Sequence, residues 1–164
     1  VRLHRLRADW ESIQRLVEES RFIEIGQRMG SPPEKYLVTF HCKGLMRAAG
    51  AVQPSISSSH QVEIYLHQQY PRIQPRLTWR TAIFHPNILS GDRNGGVCIG
   101  GWSAAETLAD LCVRLAEMVQ YKRYNPRDPL DPEAAEWAVE HFLDLPIDER
   151  PIIGAAANRA NCEA

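Results

Sequence analysis

An α+β domain, with helices packed on an antiparallel sheet, is what this sequence predicts, on two observations. Strand-like and helix-like stretches are segregated along the chain rather than alternating. The glycine fingerprint of a parallel dinucleotide-binding fold is absent. The order read from the residues is a helix, a run of antiparallel strands, an irregular loop around a cysteine, and two helices.

The first helix follows from Leu3, Leu6, Trp10, Ile13 and Val17, which fall three and four residues apart with arginines and glutamates between them. Gly26, Gly30, Ser31, Pro32 and Pro33 interrupt it. KYLVTFHCKGL is β-branched and aromatic enough for a strand ending near Gly44, QVEIYLHQ after the loop SISSS gives a second, and PRLTWRTAI a third. Further on, Leu108, Leu111, Cys112, Leu115, Met118 and Val119 repeat at helical spacing and mark a core helix. Two N-caps compete for its start, Ser103 with Glu106 and Thr107 with Asp110. NPRDPLDP ends that helix and opens another at Asp131 and Pro132, expected to reach about Leu143. From about residue 146 no strong period remains, and an irregular tail is expected.

The 164 residues fit one domain over 1–164, long enough for its own core. Nineteen basic and twenty acidic residues nearly cancel, so no bulk field draws the protein to nucleic acid or to an anionic membrane. No apolar run approaches the roughly 20 residues that span a bilayer, and the N-terminus lacks a secretory apolar region. A soluble, cytoplasmic protein is expected. Cys42, Cys98, Cys112 and Cys162 are widely and irregularly spaced, which reads as four free thiols with no metal and no cofactor implied.

The stretch HPNILSGDRNGGVCIGGW puts one of those thiols between two glycine pairs. Gly95, Gly96, Gly100 and Gly101 suit a bent, accessible loop that presents Cys98 to partners. A small apolar filler beside a turn suits the same residues, since free cysteines are among the most often buried. Local sequence leaves both readings open.

Five ordered motifs over residues 70–135 go further. YPRIQP resembles the Tyr-Pro-x-x-x-Pro segment of the ubiquitin-conjugating enzymes, and HPNI their His-Pro-Asn signature. GGVCIG resembles their active-site segment, WSAAETL their Trp-Ser-Pro-Ala turn into the second helix, and NPRDPLDPEAA their Asn-Pro-x-Asp-Pro-Leu loop. Each tetrapeptide alone is weak, but the ordered set is specific. The resemblance implies the fold of that family, an N-terminal helix, a meander sheet and two C-terminal helices.

It also implies an activity. Cys98 would take the C-terminal carboxyl of a ubiquitin-like modifier from an activating enzyme as a thioester and lose it to a lysine amine of a target protein. Only thiolate attacks, and an ordinary thiol pKa of roughly 8.5 leaves a few per cent thiolate near neutrality. The family roles carried over are these. Asn87 either stabilises the oxyanion of lysine attack or orders the loop. Asp128 positions the incoming amine. His85 and Pro86 hold the turn, and Trp102 packs against the loop. Arg2, Arg5, Arg7 and Arg15 of the first helix would dock on the activating enzyme, where a merely solvated face is the competing reading.

This chain also departs from the family pattern. Asn87 and Cys98 are further apart than the resemblance leads one to expect, Cys98 and Trp102 closer together, and Gly100 replaces a polar residue. Such divergence points to a prokaryotic or otherwise distant branch. Arg72 and Ala104 stand where the family's RING ligases grip an aromatic residue and a proline, so transfer without a RING ligase is expected. Two other readings compete: an inactive enzyme-like variant serving as a binding scaffold, and a cysteine hydrolase using His85, His60 or His67 as base. A scaffold need keep none of Cys98, Asn87 and Asp128, and no protease signature surrounds Cys98.

Overall fold

In a computed structural model that describes residues 1–154, helix α1 (Arg2–Glu19) leads into a four-stranded antiparallel sheet. Its strands are β1 (Ile23–Gly30), β2 (Pro33–Phe40), β5 (His60–Tyr65) and β6 (Arg76–Trp79), in the spatial order β1-β2-β5-β6. A separate pair, β3 (Gly44–Met46) and β4 (Ser55–Ser57), forms on the way. Helices α2 (Leu108–Val119) and α3 (Pro132–Glu140) follow the sheet. The expected α+β order of helix, antiparallel sheet and two helices is present.

Alternation along the central strands sets the core. Tyr36, Val38 and Phe40 of β2 share a buried face with Val62 and Ile64 of β5 and Trp79 of β6. Against it α1 buries Leu6, Ile13 and Leu16, and α2 buries Leu111, Cys112, Leu115 and Val119. Leu3, counted on the apolar face of α1 from spacing, is half exposed, while Asp9 is buried on the inward face. Its carboxylate explains the exchange. Oδ1 accepts the Leu108 amide at 2.9 Å, and Oδ2 accepts the Tyr70 hydroxyl at 2.6 Å and Arg5 Nε at 2.8 Å. A buried, fully partnered carboxylate thus ties α1 to the first turn of α2.

β5 and β6 end at Tyr65 and Trp79, short of the expected stretches, and three further differences from the sequence reading are larger. The glycine-interrupted stretch after α1 is strand β1, an edge strand whose residues beyond Ile25 are exposed, so it carries no apolar alternation; its pairing slips between Ile25 and Arg28, at Gly26. KYLVTFHCKGL is split, because the chain turns after Phe40, buries Cys42 and re-pairs at Gly44 with the serine-rich segment expected to be loop. Helix α3 stops at Glu140, and a 3-10 turn (Phe142–Asp144) leaves Phe142 and Leu143 facing solvent, with no apolar burial to prolong the helix.

The rival caps of α2 resolve in favour of Thr107, whose Oγ1 accepts the Asp110 amide at 3.0 Å while Asp110 accepts the Thr107 amide at 2.9 Å. Asp131 caps α3 by accepting the Ala134 amide at 3.1 Å, with Pro132 at the first helical position. Part of the expected irregular tail is anchored: Ile152 is buried in the core and the Gly154 amide donates to the Glu19 carbonyl at 2.9 Å. The rest of that tail, with Cys162, lies outside the described residues. No described helix is long and apolar enough to cross a membrane.

Candidate active site

The chain leaves β6 and turns at His85, whose ring is fully buried; Nδ1 accepts the Asn87 amide at 2.9 Å. Burial holds that imidazole down to about 3, so it is neutral at ordinary pH. Pro86, also buried, offers its carbonyl to the amides of Leu130 and Asp131 at 2.8 and 3.0 Å. These contacts stitch the turn to the segment before α3.

Asn87 is buried and both ends of its amide are engaged. Its oxygen accepts the Asn125 amide at 2.7 Å, and its nitrogen donates to the Asn125 carbonyl at 2.9 Å and the Asp128 carbonyl at 3.4 Å. Because a backbone N–H fixes which end is oxygen, the side chain reads as a clamp on residues 125–128.

The extra residues between Asn87 and Cys98 are built against the sheet. Ile88 bridges to His85 and Val97, the Leu89 amide donates to Gly96 at 2.8 Å, and the Trp79 amide at the end of β6 donates to the Gly95 carbonyl at 2.8 Å. At their tip a 3-10 turn (Gly91–Arg93) sends Arg93 to the α3 cap Asp131 at 2.5 Å. The Cys98 amide donates to the Asn87 carbonyl at 2.9 Å, which places the cysteine beside the asparagine.

Cys98 itself is exposed, unlike Cys42 and Cys112. Burial pushes the Cys42 thiol up to about 12 and the Cys112 thiol up as well, so neither is a nucleophile near neutrality. Asn87, Cys98 and Asp128 line one pocket of about 280 Å³, together with Met118, Tyr124 and Arg123. The structure therefore brings together the three residues singled out for catalysis. Asp128 faces solvent at its mouth. Trp102 donates from Nε1 to the Pro71 carbonyl at 2.8 Å and leans on Tyr70, pinning the far end of the loop.

The four arginines of α1 separate into two pairs. Arg2 is bound to Glu34 at 2.8 Å and to the Leu66 carbonyl at 2.7 Å. Arg5 is bound to Asp9, to Tyr70 at 2.7 Å and to the Ala104 carbonyl at 2.6 Å. Both serve the fold, whereas Arg7 and Arg15 are exposed. Sequence reasoning missed Arg114 of α2, which donates to the carbonyls of Ile99 and Gly101 just past the cysteine. Its one trace in the sequence is a cation inside the otherwise apolar period of LADLCVRLAEM.

A family model described as ubiquitin-conjugating enzyme matches residues 53–142, a span that contains Asn87, Cys98 and Asp128. Ubiquitin-conjugating enzyme E2 N of Macaca fascicularis is 28% identical over 87 residues, 51% of this chain and 54% of that protein. Ubiquitin-conjugating enzyme E2 13 of Saccharomyces cerevisiae is 32% identical over 80 residues, 46% of this chain and 49% of that protein. The chain thus spans about half the length of the curated relatives it matches. A solved E2 domain of a Toxoplasma gondii ubiquitin conjugating enzyme superposes with a TM-score of 0.57 over 85% of this chain and 88% of that one; at 23% identity this likeness speaks for the fold. With the family model covering more than half of its residues, the chain belongs to the ubiquitin-conjugating enzyme family.

Proposed function

We propose that this protein carries a ubiquitin-like modifier as a thioester on Cys98 and transfers it to a lysine amine of a target protein. The observation that carries the reading is the exposed thiol of Cys98 sharing one pocket with Asn87 and Asp128. The Cys98 thiolate attacks the carbonyl of the modifier's thioester on an activating enzyme, and that enzyme's thiolate leaves. A deprotonated lysine amine then attacks the new thioester; an isopeptide bond forms, the Cys98 thiolate leaves, and the proton shed by the attacking nitrogen passes to solvent. The engagement of both ends of the Asn87 amide favours its loop-ordering role over direct oxyanion contact. In this reading Asp128 orients the amine, and Arg7 and Arg15 are what remain of the docking face for the activating enzyme. Transfer proceeds in the cytoplasm of a prokaryotic or other distant lineage without a RING ligase, since Arg72 and Ala104 replace the apolar anchors of such a contact.

The test is to incubate the protein with ATP, an activating enzyme and its modifier, and to look for a band that disappears on adding thiol. Cys98→Ser is expected to give a thiol-resistant ester and Cys98→Ala no adduct, while Cys42→Ser and Cys112→Ala still charge if folded. Charging that survives Cys98→Ala overturns the assignment. Retained partner binding with no adduct on the wild-type chain selects the scaffold instead.

A further inference from the structure

Past the cysteine, Ile99 is buried in the core, but the two glycines that follow it are held by little. A Cβ built on Gly100 or Gly101 would meet no atom within 4 Å, and Gly100 sits at φ 76 in the left-handed region. Where side chains do not pack, hydrogen bonds must fix the backbone or it moves. Among the described residues, the hydrogen bonds on residues 99–101 come from Arg114 alone. Its Nη1 donates to the Ile99 carbonyl at 3.0 Å and the Gly101 carbonyl at 2.8 Å, bracketing Gly100, and its Nη2 pairs with the Glu106 carboxylate. The guanidinium is largely buried, with 13% of the side chain exposed. Arg114 stands on α2, whose neighbouring residues lie in the core, so the clamp rests on a fixed platform.

We propose that Arg114 is a positioning residue for the Cys98 thioester, holding the turn at Gly100 so that the acyl carbon faces the pocket of Asn87 and Asp128. The proposal rests on the carrier reading above. Glu106 takes up the arginine's charge, so Arg114 acts through geometry rather than as a cation that lowers the thiol pKa. The planar fork explains why the residue is arginine, because an ammonium cannot hold two carbonyls and a carboxylate in one fixed plane. Misplacing reacting groups by about 1 Å can cost about 10²-fold in rate, so a clamp this near the nucleophile has leverage on transfer.

The experiment compares Arg114→Met, which keeps length but not donors, with Arg114→Lys and the wild type, and takes two readings on the full chain. Backbone ¹⁵N order parameters at Gly100 and Gly101 should fall from about 0.85 to below about 0.6 in Arg114→Met, with those of α2 unchanged. Single-turnover discharge of the preformed thioester to free lysine should slow about 10-fold at saturating lysine, with the half-saturating lysine concentration unchanged and Arg114→Lys in between. A merely structural arginine would instead loosen α2 or leave Gly100 rigid, and either result overturns the proposal, as does unchanged discharge. Should Arg114→Met not fold, Glu106→Gln loosens the same guanidinium and is expected to move both readings in the same direction by less. A wild-type chain that forms no thioester sinks the carrier reading, and the order parameters then still decide whether Arg114 holds the turn.

Discussion

The two flanks of Cys98 are built in opposite ways. On the upstream side, residues 85–97 are held by main-chain hydrogen bonds to the end of β6, by the Pro86 carbonyl and by the Asn87 clamp. Downstream, Ile99 is buried in the core, but the chain then runs through two open glycines with a single side-chain clamp. The longer flank is thus the fixed one, and the shorter flank is the open one. On the carrier reading proposed above, a thiol that meets an activating enzyme and then a target needs a rigid wall to set the geometry of attack and a free wall for partners to approach, and the two halves of this loop suit those two tasks.

Alanine at one glycine of each flank tests that division most sharply. Gly95 has φ 67, and a Cβ there would lie 2.4 Å from the Trp79 carbonyl oxygen, a backbone atom of β6 that cannot step aside. Gly95→Ala is therefore expected to cost about 4 kcal/mol or to prevent folding, whereas Gly100→Ala, strained only by its φ of 76, should cost about 1 kcal/mol. Urea unfolding of the two variants reads the difference. Equal losses would mean that the upstream flank is no more tightly built than the downstream one.

Next in size is the split between clamp and nucleophile. Asn87→Ala releases residues 125–128 and should leave charging of Cys98 intact while slowing discharge to free lysine by about 10²-fold. Asp128→Ala should slow the same step and recover in part as pH rises, because more lysine is then unprotonated. If either variant loses charging and discharge alike, the segment is a support for the whole loop and not a device for amine attack.

How much of this was legible in the residues follows from what kind of interaction carries each part. Helical and central-strand positions were legible because burial repeats with the period of the element, as in Leu111, Leu115 and Val119 or Val62 and Ile64. Strand β1 was not, since an edge strand facing solvent needs no alternation. The motif residues Asn87, Cys98 and Asp128 were readable as a set, and the fold delivers them to one pocket. Asp9 left no trace and Arg114 only the one noted above, because a polar residue at a helical position looks the same whether it faces water, an amide about a hundred residues away or a carbonyl about a dozen away. Arg5 failed in the opposite sense: it reads as a docking cation, yet its donors are spent on Asp9, Tyr70 and the Ala104 carbonyl.

The smallest expected effect is a pH dependence that the fixed flank shares with His60 of β5. His85 is held down to about 3 by burial, well below the ordinary histidine value of 6.5, and burial lowers His60 as well. Between those two values the unfolded chain binds a proton that folded His85 does not, so stability is complete above pH 6.5 and falls as the pH drops toward 3. Each such histidine gives a slope of up to about 1.4 kcal/mol per pH unit. Asp148, held down to about 2 by hydrogen bonds from Arg150, loses its contribution only below its ordinary value of 3.8, under the pH 7 to 5 range. His85→Asn keeps an oxygen where Nδ1 accepts the Asn87 amide and removes the titrating group. Urea unfolding at pH 7, 6 and 5 should show the wild type losing stability faster than His85→Asn, with His60 supplying the slope that remains in the variant. Parallel curves would mean that the turn at His85 opens to water and its imidazole titrates freely, which would make the upstream flank as loose as the glycines beyond Cys98.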